Sequence, residues 1–186
     1  MITALDKNTA LILIDLQKGV VAMPLAHPVQ DILKNSVKLI DAFRKAGQPI
    51  VIVNVNPAGK AWTQARKDPS TTAPPAFKED WLEIIPEVQC EEGDIFITKH
   101  TWGAFFETAL NEELKKRNVT GIVMAGISTS IGVEGTARQA SELGYNITFA
   151  TDAMTDMVLA AHENSLKSIF PRMGETGSTD DVIGKL

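Results

Sequence analysis

Cysteine is almost missing from this chain, with one residue, Cys90, among 186. No intrachain disulfide can form, so the fold has to rest on its core. Cys90 lies in the polar turn Gln89-Cys-Glu-Glu-Gly93. Neighbouring carboxylates raise a thiol's pKa, so it is not expected to be a nucleophile. Histidine is scarce too. His27, His100 and His162 fall in different elements with no Asp-x-His or His-x-x-x-His spacing, so neither a metal nor another cofactor is expected. Basic runs and stripes are absent and the net charge is −5, which argues against a nucleic-acid partner. The longest apolar runs are of strand length, so no membrane span is expected. No charged segment followed by a long apolar core opens the chain, so no signal peptide is expected and the expected location is cytoplasmic.

What is present is ordinary in amount and regular in order. A hydrophobic fraction of 44% and a charged fraction of 22% fit a soluble globular protein. The length suits a single domain, 1–186. Ala10–Leu16, Gln48–Val55, Ile95–Thr98, Thr120–Ala125 and Asn146–Ala150 read as strands, and near-continuous Ile, Val and Leu suits parallel strands covered on both faces. Between them run helical stripes. Val29, Ile32, Leu33, Val37, Ile40 and Phe43 form one, ended by Gly47. Phe106, Leu110 and Leu114 form a second, and Val133, Ala137 and Ala140 a third. A fourth helix is expected from a cap at Thr155-Asp156 to about Phe170. Strand–helix alternation predicts an α/β fold with a mostly parallel sheet. The stretch Asn56–Pro86 lacks periodicity. Its Trp62, Phe77 and Trp81 are expected to fold over a pocket or a neighbouring subunit.

Ligands of open parallel sheets bind beyond the carboxyl ends of the strands. Asp15 ends the first strand and Lys99 the third, while the turn Ser128–Gly132 follows the fourth. A carboxylate at such an edge is partly desolvated, which raises its pKa and suits acid–base work; a lysine beside it lowers that pKa again and orients it. Amides at the start of the helix near Gly132 offer an oxyanion site. Taken singly, Asp15 could cap a loop, Lys99 could be a surface residue and Gly132 could serve close packing. Glu134 and Arg138, four apart, read as a helix-surface pair. A hydroxyl of Ser128, Thr129 or Ser130 is a poor candidate nucleophile, because no histidine is spaced to activate it.

Three motifs in order carry a resemblance to the isochorismatase-like hydrolase superfamily from about Thr9 to Asp181. They are Leu11-Ile-Leu-Ile-Asp-Leu-Gln17, Ile97-Thr-Lys-His-Thr-Trp-Gly-Ala-Phe-Phe-Glu-Thr-Ala-Leu110 and Val123-Met-Ala-Gly-Ile-Ser-Thr-Ser-Ile-Gly-Val-Glu-Gly-Thr-Ala-Arg138. The resemblance implies a doubly wound sheet of six strands flanked by helices on both faces. It also implies a cis peptide near Ile127-Ser128 and a homo-oligomer acting on a small molecule. By the same resemblance Asp15, Lys99 and Gly132 are the catalytic positions, with Ser128, Gly132, Trp102 and His100 at oxyanion and substrate-binding positions.

Most members of that superfamily are cysteine hydrolases, and this chain has Gly132 at the cysteine's place. True isochorismatases likewise lack the thiol and cleave a vinyl ether with an aspartate as acid–base group. The implied activity is therefore cysteine-independent hydrolysis. The alternative is a ligand-binding or scaffolding member that has lost catalysis. The nicotinamidase branch carries Asp and His metal ligands after the second strand, where this chain reads Asn54-Val-Asn-Pro57, so zinc is not implied. Ser128-Thr-Ser-Ile-Gly132 also differs from the histidine-containing segment of isochorismatases.

Overall fold

A computed structural model describes residues 1–58, 60, 66 and 79–186. Six strands, β1 (Thr9–Ile14), β2 (Ile50–Val55), β3 (Ile95–Lys99), β4 (Gly121–Ile127), β5 (Asn146–Thr155) and β6 (Gly174–Gly177), form one sheet in the order β3-β2-β1-β4-β5-β6. Every neighbouring pair of these strands is parallel. The helices are α1 (Lys18–Val21), α2 (Val29–Lys45), α3 (Leu110–Lys116), α4 (Glu134–Glu142), α5 (Leu159–Asn164) and α6 (Thr179–Ile183). A π-helical turn, Thr129–Val133, leads into α4, and another, Ser165–Ile169, extends α5.

Alternation along β1 shows why the apolar runs are continuous. Leu11 and Leu13 join a core with Ile32, Leu39, Ile40 and Phe43 of α2 and Val182 of α6. Ala10, Ile12 and Ile14 face the other way, onto Leu110 and Leu114 of α3 and Ala137 and Ala140 of α4. A strand covered on both faces needs apolar residues at every position. On that second face Phe149 of β5 stacks on Phe170 with ring centroids 3.9 Å apart, which fastens the segment after α5 to the sheet. The amphipathic stripe of α2 ends as expected: the Gly47 and Gln48 amides donate back to the Arg44 and Phe43 carbonyls, with Gly47 at φ +66.

Three elements differ from the sequence expectation. The helix predicted from Phe106 starts at Leu110, because Glu107 is left-handed (φ 53) and interrupts the helical turn; Phe106 stays exposed. The helix predicted from Thr155-Asp156 starts at Leu159, since β5 continues through Thr155. The Asp156 carboxylate divides its bonds: Oδ2 accepts from the amide and the hydroxyl of Ser130, both at 2.8 Å, and Oδ1 from the Val158 amide at 3.2 Å. β6 has no counterpart in the apolar pattern, since Gly174–Gly177 is a half-buried edge strand without an apolar run. Trp81 is buried, packed over Gly19, whereas Trp62 and Phe77 lie outside the described residues.

β4 lies so close to β1 at Gly126 that a Cβ there would stand 2.1 Å from the Ile14 carbonyl oxygen, and Gly126 has φ +118. Gly126→Ala is expected to destabilise the fold by about 3 kcal/mol or more, combining backbone strain with overpacking. The check is a lowered urea midpoint at an unchanged denaturant slope.

Candidate active site

Strand order reverses between β1 and β4, and in doubly wound sheets that reversal opens a crevice at the carboxyl ends. Three chain segments converge there. Asp15, the first residue past β1, adopts φ 53 while its amide still donates to the Val53 carbonyl at 2.9 Å. The left-handed residue ends the strand's alternation at the sheet edge. Lys99 ends β3, two strands away, and its side chain extends to the Asp15 carboxylate: Nζ lies 2.8 Å from Oδ2. The same Nζ donates to the Trp102 carbonyl at 2.7 Å. The turn after β4 brings Gly132 alongside, where a Cβ would stand 3.1 Å from Asp15 Oδ2 and 3.3 Å from Lys99 Nζ. The Ile127–Ser128 peptide opening that turn is cis.

Electrostatics where these segments meet are set by burial. Asp15 is 4% exposed and Lys99 1%, so neither charge is hydrated as it would be on the surface. Desolvation pushes the Asp15 carboxyl up from 3.8 to about 6, against the pull of the Lys99 charge and its hydrogen bond. Asp15 Oδ1 is buried with no hydrogen-bond partner among the described residues. A buried carboxylate oxygen left unpaired is a group poised to take or give a proton.

The other expected positions enter in different ways. Ser128 is half-buried, and its carbonyl accepts from the amides of Ile131 and Val133, at 3.2 and 3.1 Å. Trp102 meets the site through its carbonyl, its side chain being largely exposed. The His100 ring has Nδ1 2.7 Å from the Asn56 carbonyl oxygen. Cys90 is exposed, and its thiol is pushed up first by desolvation and then by Asp94. Arg138 and Glu134 pair at 2.8 Å, and Glu134 also accepts from the Ser165 hydroxyl. Among the described residues, no group of three or more His, Cys, Asp or Glu side chains is placed to hold a metal.

Two features escaped the residue spacing. Gln17 is wholly buried; its carboxamide donates to the carbonyls of Val55 and Trp81 and accepts from the Val55 amide, so it clamps the loop after β1 to β2 and to the chain at Trp81. The second corrects an expectation. Thr129 does have a histidine: its Oγ1 lies 2.8 Å from His162 Nδ1. The His162 ring sits 4.8 Å from that of His27, whose Nδ1 is 2.9 Å from Thr155 Oγ1. These residues come from the loop before α2, the turn after β4, the end of β5 and α5, so no local pattern signals them. Thr129 is fully buried and its hydroxyl is engaged by His162. The histidines therefore brace the turn bearing Gly132.

Two expected outcomes follow from this packing. A Cβ at Gly132 would lie 2.8 Å from the Ile14 Cγ2 methyl, so a side chain there needs Ile14 to shift. Gly132→Cys is expected to cost about 1–3 kcal/mol of stability yet to yield a thiol beside Lys99 that reacts with iodoacetamide faster than Cys90 does. Urea denaturation and labelling rates measure the two effects. The second outcome concerns His162, whose pKa is lowered by desolvation and by His27, against the opposing pull of Asp156 and Glu163. The unfolded chain binds this proton more readily, so the stability contributed by the neutral ring is present above the ordinary 6.5 and is lost as pH falls from there through the folded value. Asp15, raised in the folded state, acts in the opposite direction. The difference in stability between the wild type and His162→Asn, followed from pH 7.5 to 5, is expected to shrink on acidification.

Comparison with known proteins places this geometry. The model of the isochorismatase domain matches residues 9–181. The isochorismatase family protein YwoC of Bacillus subtilis (strain 168) is 41% identical over 95% of this chain and 93% of its own. Nicotinamidase 3 of Arabidopsis thaliana is 29% identical over 88% of this chain and 81% of its own. The structure of an isochorismatase family protein from Burkholderia thailandensis superposes with a TM-score of 0.92 at 33% identity, covering 100% of this chain and 99% of that one. With the domain spanning nearly the whole length and a relative 41% identical over 95% of the chain, this chain belongs to the isochorismatase family.

Proposed function

We propose that this protein is a small-molecule hydrolase that works without a cysteine nucleophile. The observation that carries the reading is the buried Asp15–Lys99 pair at 2.8 Å beside a glycine that offers no nucleophile. Similarity to hydrolases such as nicotinamidase 3 supports the reaction class. Asp15 supplies the proton. With its pKa near 6 a useful fraction is protonated close to neutrality, and Oδ1 has no competing partner among the described residues. Lys99 holds Oδ2 and orients the carboxyl group. The amides of Ser128 and Gly132 would donate hydrogen bonds to an oxygen of the bound substrate and hold it in place.

A vinyl ether fits this equipment. Protonation by Asp15 of the terminal carbon of the double bond produces an oxocarbenium ion. Water adds to it, returning a proton to the Asp15 carboxylate, and the resulting hemiketal collapses to a ketone and an alcohol. None of these three steps requires a covalent enzyme intermediate. His100 and the Trp102 side chain would contact the substrate, and the exposed Phe96 and Phe106 offer apolar area for a homo-oligomeric contact.

The test is an unbiased metabolite screen on purified protein, followed by Asp15→Asn with the substrate found. Turnover is expected to fall about 100-fold or more in the variant. Wild-type kcat/KM should decline above a pH of about 6, where Asp15 loses its proton. Alkylation of Cys90 should leave turnover unchanged. Full activity in Asp15→Asn excludes the acid–base role. A metabolite that binds at Lys99 but is never turned over would make the protein a ligand-binding member of the family.

A further inference from the structure

Lys99 is held by two acceptors, Asp15 Oδ2 and the Trp102 carbonyl. Trp102 lies in a stretch, 101–109, with no helix or strand of its own, so its carbonyl stays in place only through what packs against it. α4 supplies that packing. Thr136 accepts from the Ala104 amide at 3.1 Å while donating to the Gly132 carbonyl at 2.7 Å. One turn further, Gln139 Oε1 accepts from the Phe105 amide at 3.0 Å. The carboxamide lies flat on the backbone: a Cβ on Gly103 would stand 2.2 Å from Gln139 Oε1. A Cβ on Gly135 would be 3.3 Å from the Gly103 amide nitrogen. Two glycines thus let the helix seat directly on the loop that carries the lysine's acceptor.

Thr136 cannot be separated from Gly132, whose carbonyl it holds. Gln139 can, because it grips the loop alone. We infer that Gln139 is a positioning residue: its carboxamide fixes the 102–105 segment and, through the Trp102 carbonyl, holds Lys99 Nζ against Asp15. The importance of this for turnover rests on the reading of Asp15 and Lys99 as the reactive pair, but the geometric claim does not. In this arrangement the helix that begins beside Gly132 also sets the lysine, so all three positions move as one body.

The experiment is a carboxyl 13C NMR titration of Asp15, assigned by loss of its signal in Asp15→Asn, in the wild type and three variants. Gln139→Met keeps the volume and removes the acceptor, Gln139→Ala removes both, and Gln139→Glu retains an acceptor oxygen. A loosened Lys99 stabilises the Asp15 carboxylate less, so Gln139→Met and Gln139→Ala are expected to raise the Asp15 midpoint by about 0.5 pH unit or more. Gln139→Glu is expected to restore it. Val182→Ala, in the core beneath α6 on the opposite face, lowers stability without touching the loop and is expected to leave the midpoint unchanged. The inference is overturned if the Met and Ala variants titrate like the wild type, if Val182→Ala shifts the midpoint equally, or if Glu fails to restore it. None of these readings uses turnover, so a wrong assignment of catalysis to Asp15 would show only in the activity of Asp15→Asn.

Discussion

One buried ion pair dictates most of what surrounds it. Burial alone would push Asp15 towards its protonated form, and a contact of 2.8 Å with Lys99 offsets part of that penalty. The offset is incomplete. A carboxyl group moved from 3.8 to about 6 is about 3 kcal/mol harder to ionise than one in water. A pair so poorly compensated is no source of stability. It persists because the sheet, the left-handed turn at Asp15 and the Trp102 carbonyl leave the two groups no other place. Residues held at this kind of cost cluster at functional sites, which makes the pair an argument for chemistry as well as a feature of the fold.

The glycine at position 132 is fitted to the same constraint. In an open crevice it would leave room for a lost side chain, but here the Ile14 methyl already occupies that space to within 2.8 Å of a would-be Cβ. The packing around Gly132 is therefore closed about a residue without a side chain. The proposed chemistry draws on proton transfer and on main-chain donors, the two resources that need no atom at that place. The histidine pair and the Asp156–Ser130 bonds brace the turn from behind, so its amides are held by long-range contacts as well as by the helix they lead into.

What could be read from the sequence, and what could not, divides along a physical line. β1, β2, β4 and β5 show up as apolar runs because both faces of a parallel strand are buried, β3 shows up at one edge because Ile95 and Ile97 face the core while Phe96 stays exposed, and Asp15 and Lys99 are visible because each interrupts or ends such a run. β6 is invisible for the same reason: at the sheet edge its Gly-Glu-Thr-Gly needs no apolar residue. Phe106 misleads because helical spacing takes no account of the left-handed Glu107 that separates it from Leu110. Thr155 and Asp156 look like a cap, yet β5 runs through Thr155, whose hydroxyl meets His27, and Asp156 divides its carboxylate between Ser130 and the Val158 amide. The Thr129–His162 contact joins residues 33 apart, a distance at which no pattern operates.

That division also limits which residues govern the site. The groups legible in the sequence are those that would touch a substrate, whereas those that set their geometry act through backbone atoms whose partners lie elsewhere in the chain. Trp102 illustrates the point. Its side chain is the conspicuous feature in the sequence and is more than half exposed, while its carbonyl, which any residue could supply, is what holds Lys99. A substitution at Trp102 that preserves the backbone should therefore matter less to Lys99 than one at Gln139, whose carboxamide grips the loop from which that carbonyl points.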